Sequence, residues 1–262
     1  MKLELYQIDA FTNQIFGGNP ACVVPLQEWL PDTILLQIAK ENAVAETAFF
    51  IPKDNQFQLR WFTPDIEMDL CGHATLATAH ALKTILNHKE NSIVFETLSG
   101  DLTVTIEGEF YTLDFPSRMP IPAELPQIIS QSLSIQPKEV LKSRDYVLVF
   151  ESEEDIKNIH INRSIIDQIN LDPGGLIITA KGTNSDFVSR FFTPQSTHFE
   201  DPVTGSAHCS LIPYWAKELN KTNLEAFQLS DRVGHLYCEY HGNRVKISGQ
   251  AKTYSVGHFW ID

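Results

Sequence analysis

Alternation of apolar and polar positions runs through most of this chain, and it predicts strands far more often than helices. In the first half it predicts strands at residues 3–11, 21–25, 47–52, 92–96, 102–106 and 111–115. The second half repeats the style at 146–150, 175–180, 228–229, 236–240, 245–248 and 253–260. Helical periodicity predicts short helices at 32–42, 125–133 and 164–170. Two further segments, ATLATAHALKTIL at 74–86 and LIPYWAKEL at 211–219, are apolar around most of the helical circumference. A helix of that kind is enclosed by protein on nearly all sides. Pro213 falls inside the second one, where a lost N–H and a ring clash cost about 3 kcal/mol, so a kink is expected there.

The two apolar helices follow a repeated frame. RWFTPDIEMDLCGHATLA begins at Arg60 and RFFTPQSTHFEDPVTGSAHCSL at Arg190; both read Arg-aromatic-Phe-Thr-Pro, an acidic loop, then Gly-polar-Ala. Between the halves, PSRMPIPAELP places four prolines in eleven residues, a stiff extended linker. The expected architecture is α+β: two similar domains, 1–118 and 126–262, joined by a linker at 116–126. Each is a curved, mostly antiparallel sheet around a central helix, with the last strand free to cross back to the first domain.

A chain of 262 residues, 43% hydrophobic, buries a sizeable core. The formal charge of -13 opposes nonspecific attraction to nucleic acid, which is therefore excluded as a partner. The N-terminus lacks an apolar leader core and no run of about 18 apolar residues occurs, so no membrane association and a cytoplasmic location are expected. Cys22, Cys71, Cys209 and Cys238 are scattered without a paired motif, so neither disulfides nor a structural zinc site is expected.

Helix N-termini carry unsatisfied N–H groups and partial positive charge, and here two stand at matching places, Cys71-Gly72-His73 and Thr204-Gly205-Ser206. Should the domains pack with twofold pseudosymmetry, both would face one interdomain cleft able to hold a carboxylate. The alternative is plain capping by Asp69, Thr204 or Asp201. His73 and Asp201 add titratable groups beside the turns, whereas His80, His198 and His208 read as structural or surface residues. His73 and His80 are seven apart, unlike helical zinc pairs, and no metal is expected. TGSAH lacks the GxSxG elbow of serine hydrolases. In KENAVAETAFF, Glu46 is set among apolar residues, where desolvation would raise its pKa into the range of an acid/base; the alternative is a strand glutamate facing water.

Taken together, FTNQIFGGNPACVV, NAVAETAFF, RWFTPDIEMDLCGHATLA and EDPVTGSAH resemble the phenazine-biosynthesis PhzF-like family, within the diaminopimelate epimerase-like fold. The resemblance implies an isomerase without a cofactor that shifts a proton on a small cyclic or unsaturated carboxylate. It assigns Glu46 as acid/base, His73, Asp201 and Ser206 as catalytic partners, and Gly72, Gly205, Thr204 and Cys71 to substrate binding. Related epimerases use two cysteines; here Thr204 stands at the second turn, which argues against a two-thiol racemase. A one-base epimerase or dehydratase using Cys71 with Thr204, and a binding protein without catalysis, are the alternatives. A homodimer is the expected assembly.

Overall fold

The structure is a computed structural model describing residues 1–171 and 174–262. The chain divides into two compact units, Met1–Phe115 with Ile247–Asp262, and Pro116–Lys246. The sequence-based boundary runs the second domain to residue 262 and leaves the last strand free to cross back; here residues 247–262 cluster with the first unit.

The first unit contains β1 (Lys2–Ala10), β2 (Asn19–Pro25), α1 (Asp32–Asn42), β3 (Glu46–Lys53), β4 (Gln56–Phe62), β5 (Glu67–Met68), α2 (Gly72–His80), β6 (Ser92–Thr97), β7 (Gly100–Glu107) and β8 (Phe110–Pro116). Most neighbours pair antiparallel, but β2–β3 and β4–β6 are parallel, because each of those connections crosses over through α1 or α2. The sheet has a helix on each face. On one side α1 packs Leu35, Ile38 and Ala39 against Val24, Phe49 and Phe62. On the other, α2 contacts β1, β2 and β3, and every one of its residues is buried. Its threonines are tolerated there because their hydroxyls bond back one turn: Thr75 to the Cys71 carbonyl at 2.5 Å and Thr78 to the Ala74 carbonyl at 2.7 Å.

The second unit begins with β9 (Ile121–Pro122), α3 (Gln127–Ser132), β10 (Glu139–Lys142), β11 (Tyr146–Val149), α4 (Glu153–Asn158), α5 (Arg163–Ile166) and β12 (Leu176–Lys181). It continues with β13 (Phe187–Phe192), β14 (Glu200–Asp201), α6 (Gly205–Leu219), β15 (Asn223–Gln228), β16 (Gly234–His241) and β17 (Arg244–Gly249), the last running into the first unit. β18 (Ala251–Trp260) belongs to the first unit, where it pairs antiparallel with β1. Parallel pairs again mark the helical crossovers, β11–β12 and β13–β15. The β12 sequence LIITAK explains its place: Leu176, Ile178 and Ala180 join α3, α4 and α5 in one core, while the Thr179 hydroxyl on the opposite face accepts the Trp215 indole N–H from α6 at 2.9 Å. Phe187 stacks on Trp215, ring centroids 5.9 Å apart.

The repeat is physical as well as textual. In both units the frame's arginine forms a fork to a glutamate: Arg60 Nε and a terminal nitrogen to Glu67, both at 2.7 Å, and Arg190 to Glu200 at 2.7 and 2.8 Å. Each guanidinium also lies over the phenylalanine two residues on, 5.1 Å from Phe62 and 5.0 Å from Phe192. The register agrees, with Phe62 opposite Glu67 and Phe192 opposite Glu200. The three extra residues of the second loop are absorbed in its turn, closed by Thr193 N–H to the Phe199 carbonyl, where Thr63 N–H reaches Ile66 in the first.

Pro213 leaves α6 continuous from Gly205 to Leu219. The carbonyl it cannot satisfy, that of Cys209 four residues earlier, accepts the backbone N–H of Arg118 at 2.8 Å.

Candidate active site

Glu46 is the first residue of β3, a strand paired on both sides, by β2 and by β4. Its side chain is only 12% exposed, so it does not face water as a solvated strand glutamate would. Oε2 of Glu46 lies 3.1 Å from Nε2 of His73, the second residue of α2. Both atoms are buried, and neither has an aligned hydrogen bond. The carboxylate and the imidazole stand at ion-pair distance, where each feels the other's charge.

The other ring edge is occupied. Asn19 Nδ2 stands 3.1 Å from His73 Nδ1, and Cys71 Sγ 3.6 Å from the same atom. Burial opposes a charge on His73, but Cys71 and Glu46 outweigh it and raise its proton affinity well above the ordinary histidine value. Burial, joined by the Glu46 carboxylate, pushes the Cys71 thiol up to about 11, against the pull of His73 and the Ala74 amide. Glu46, Cys71 and His73 offer oxygen, sulfur and nitrogen within 4.8 Å of one another, a spacing that a cation could use. Yet sulfur approaches Nδ1 and the carboxylate approaches Nε2, on opposite ring edges, so these two short contacts do not converge on one ring nitrogen.

In the second unit, Asp201 Oδ2 accepts the Thr204 hydroxyl at 2.5 Å. Gln228 bridges this turn, its Oε1 accepting Thr204 N–H at 2.8 Å and its Nε2 donating to the Asp201 carbonyl at 2.8 Å. Ser206 is half-buried at the second residue of α6, the place His73 holds on α2. Neither Cys71 nor Thr204, the residues at the two N-caps, closes its helix with a side-chain hydrogen bond, and Asp201 is engaged with the Thr204 hydroxyl. Gly72 and Gly205 open both helices. His80 and His208 are structural, as expected: His80 sits between the Tyr111 hydroxyl and Thr253 Oγ1, both at 3.0 Å, and His208 Nδ1 lies 2.8 Å from the Thr204 carbonyl.

Two participants escaped the residue pattern. The pattern places Gln228 in a short strand, and nothing local links it to residue 204. Asn19 stood inside the quoted FGGNP stretch, where an asparagine after two glycines at a strand start was the available signal.

Residues 8–257 match the family described as Phenazine biosynthesis-like protein, PhzC-PhzF. A Pseudomonas aeruginosa protein named as an uncharacterized isomerase is 46% identical, with 98% of each chain covered. Another so named, from Halalkalibacterium halodurans, is 45% identical with 97% of each covered. The crystal structure of a PhzF-family phenazine biosynthesis protein from Enterococcus faecalis superposes with a TM-score of 0.94 at 43% identity, each chain covered in full. The chain belongs to the PhzC-PhzF phenazine biosynthesis-like family and is an isomerase.

Proposed function

We propose that this isomerase shifts a proton on a small cyclic or unsaturated carboxylate without a cofactor, with Glu46 as the acid/base. The observation that carries the reading is the 3.1 Å approach of Glu46 Oε2 to His73 Nε2, both atoms buried and without aligned partners. The Glu46 carboxylate takes a proton from a carbon conjugated with the substrate's unsaturated system. The C–H electron pair spreads into that system, and the proton returns to a different carbon, so no oxidant or second substrate is consumed. His73 faces the charge that develops, and Asp201 and Ser206 position the substrate. The backbone N–H groups at Gly72 and Gly205, with Cys71 and Thr204 beside them, suit a carboxylate, because helix N-termini carry partial positive charge.

A one-base mechanism through Cys71 and Thr204 has less support. A thiol pushed up to about 11 is not a thiolate near neutrality, and a threonine hydroxyl does not titrate there. The test uses a panel of cyclic and unsaturated carboxylates to find one that turns over, then mass spectrometry in heavy water. Glu46→Gln keeps the shape and removes the carboxylate, so turnover and deuterium uptake should fall by about 10²–10⁴ with substrate binding nearly unchanged. Equal rates in the two proteins would remove Glu46 from the mechanism and bring Cys71 forward.

A further inference from the structure

The ring of His73 is addressed from both edges, Nε2 by Glu46 and Nδ1 by Asn19. Asn19 presents its amide nitrogen 3.1 Å from Nδ1. An amide nitrogen donates and does not accept, so in the neutral ring the nitrogen it approaches is the one with a free lone pair. We infer that Asn19 is a positioning residue that fixes His73 in the tautomer carrying its ring proton on Nε2, toward Oε2 of Glu46. The inference rests on the reading of Glu46 and His73 as a working pair.

The backbone around Asn19 is built to hold that amide still. Asn19 is fully buried and opens β2, where it pairs with Ala10 of β1. The preceding Gly18 has φ +60°, and a Cβ there would stand 2.1 Å from the Ala10 carbonyl oxygen, so only glycine lets the chain turn in at this point. One turn back, the Phe16 N–H donates to the buried Asp9 carboxylate at 2.9 Å. A side chain anchored this way chooses a tautomer rather than adapting to one, as groups behind a metal-bound histidine do. Without the choice, the ring proton could reside on Nδ1, and Nε2 would offer Glu46 a lone pair instead of a donor.

The experiment is nitrogen-15 NMR of the full chain with ring-labelled histidine, followed upward in pH until the His73 ring is neutral, the His73 signals assigned by comparison with His73→Gln. In the wild type Nδ1 should be pyridine-like and Nε2 pyrrole-like. Asn19→Asp, equal in size but only an acceptor, should move the proton onto Nδ1; Asn19→Ala should give a mixture of tautomers. On a turned-over substrate, Asn19→Asp should lower kcat by about 10–100-fold with little change in KM. A protonated Nδ1 in the wild type, or unchanged His73 signals in the variants, overturns the inference. Should Asn19→Asp not fold, the wild type and Asn19→Ala still decide it. The two ideas fail separately: full turnover by Glu46→Gln with a bare Nδ1 sinks the mechanism alone, whereas lost turnover with a proton on Nδ1 sinks the tautomer alone.

Discussion

His80 and His208 show what a histidine becomes when burial wins. Both are pushed down to about 4, His80 by burial with Lys252 adding to it, His208 by burial against one favourable carbonyl contact. In the unfolded chain each would titrate near 6.5, so between that value and about 4 the unfolded state binds protons that the folded state refuses. Stability from these two residues is therefore complete above about 6.5 and is lost as pH falls toward 4, on the order of a few kcal/mol in all. Urea midpoints measured across that range should drop steeply in the wild type and less steeply in His208→Gln. His73 escapes the same fate because Glu46 and Cys71 oppose burial. Its candidacy, with that of Glu46, could be read from motifs. The part of Asn19 could not, because it depends on a left-handed glycine that turns the chain back onto its own β1 carbonyl.

At the scale of elements, the strands and the two enclosed helices were legible because their periodicities are strong, and α1 was predicted with its observed ends. Shorter pieces were not. The α4 helix was missed although Ser152 and Asp155 form a reciprocal capping box, a signal its six residues hardly outlast. β10 was missed as well: EVLK is too short to alternate convincingly, and its antiparallel partners β11 and β9 make it a strand. At Pro213 the sequence shows the lost N–H but not that Arg118 takes up the orphaned Cys209 carbonyl. That contact changes what removing the proline should do. Pro213→Ala in an exposed helix would gain about 3 kcal/mol, but here the new N–H competes with Arg118 for one carbonyl, and a displaced buried donor costs about 1–3 kcal/mol. Denaturant unfolding should show a net change below about 1 kcal/mol; the full gain would mean that the Arg118 bond contributes nothing.

For the whole molecule, the match of β4–β5–α2–β6 to β13–β14–α6–β15 makes the repeated frame the unit of construction, and the paired Arg–Glu forks are its fixed points. No helix among the described residues is long and apolar enough to cross a membrane. The asymmetry between the units lies at the end of the chain. β18 pairs with β1 from Lys2–Trp260 through Ala10–Ala251, with one bulge between Gln7 and Ile8. Deleting residues 251–262 strips β1 of a neighbour within the first unit and leaves Pro116–Lys246 whole. In the shortened protein, hydrogen exchange should quicken in β1 and β2 while β11, β12 and β13 keep their protection. Uniform loss in both units would contradict the division.

On the ribosome, this closure reverses the order of birth. Strand β1 emerges first yet waits for a partner encoded some 240 positions later, which at about 5–20 residues per second is a delay of roughly ten to fifty seconds. The later-born Pro116–Lys246 unit has all its strands in hand before β18 appears. Throughout that wait the nascent chain carries an open β edge, the kind of surface to which neighbouring chains stick.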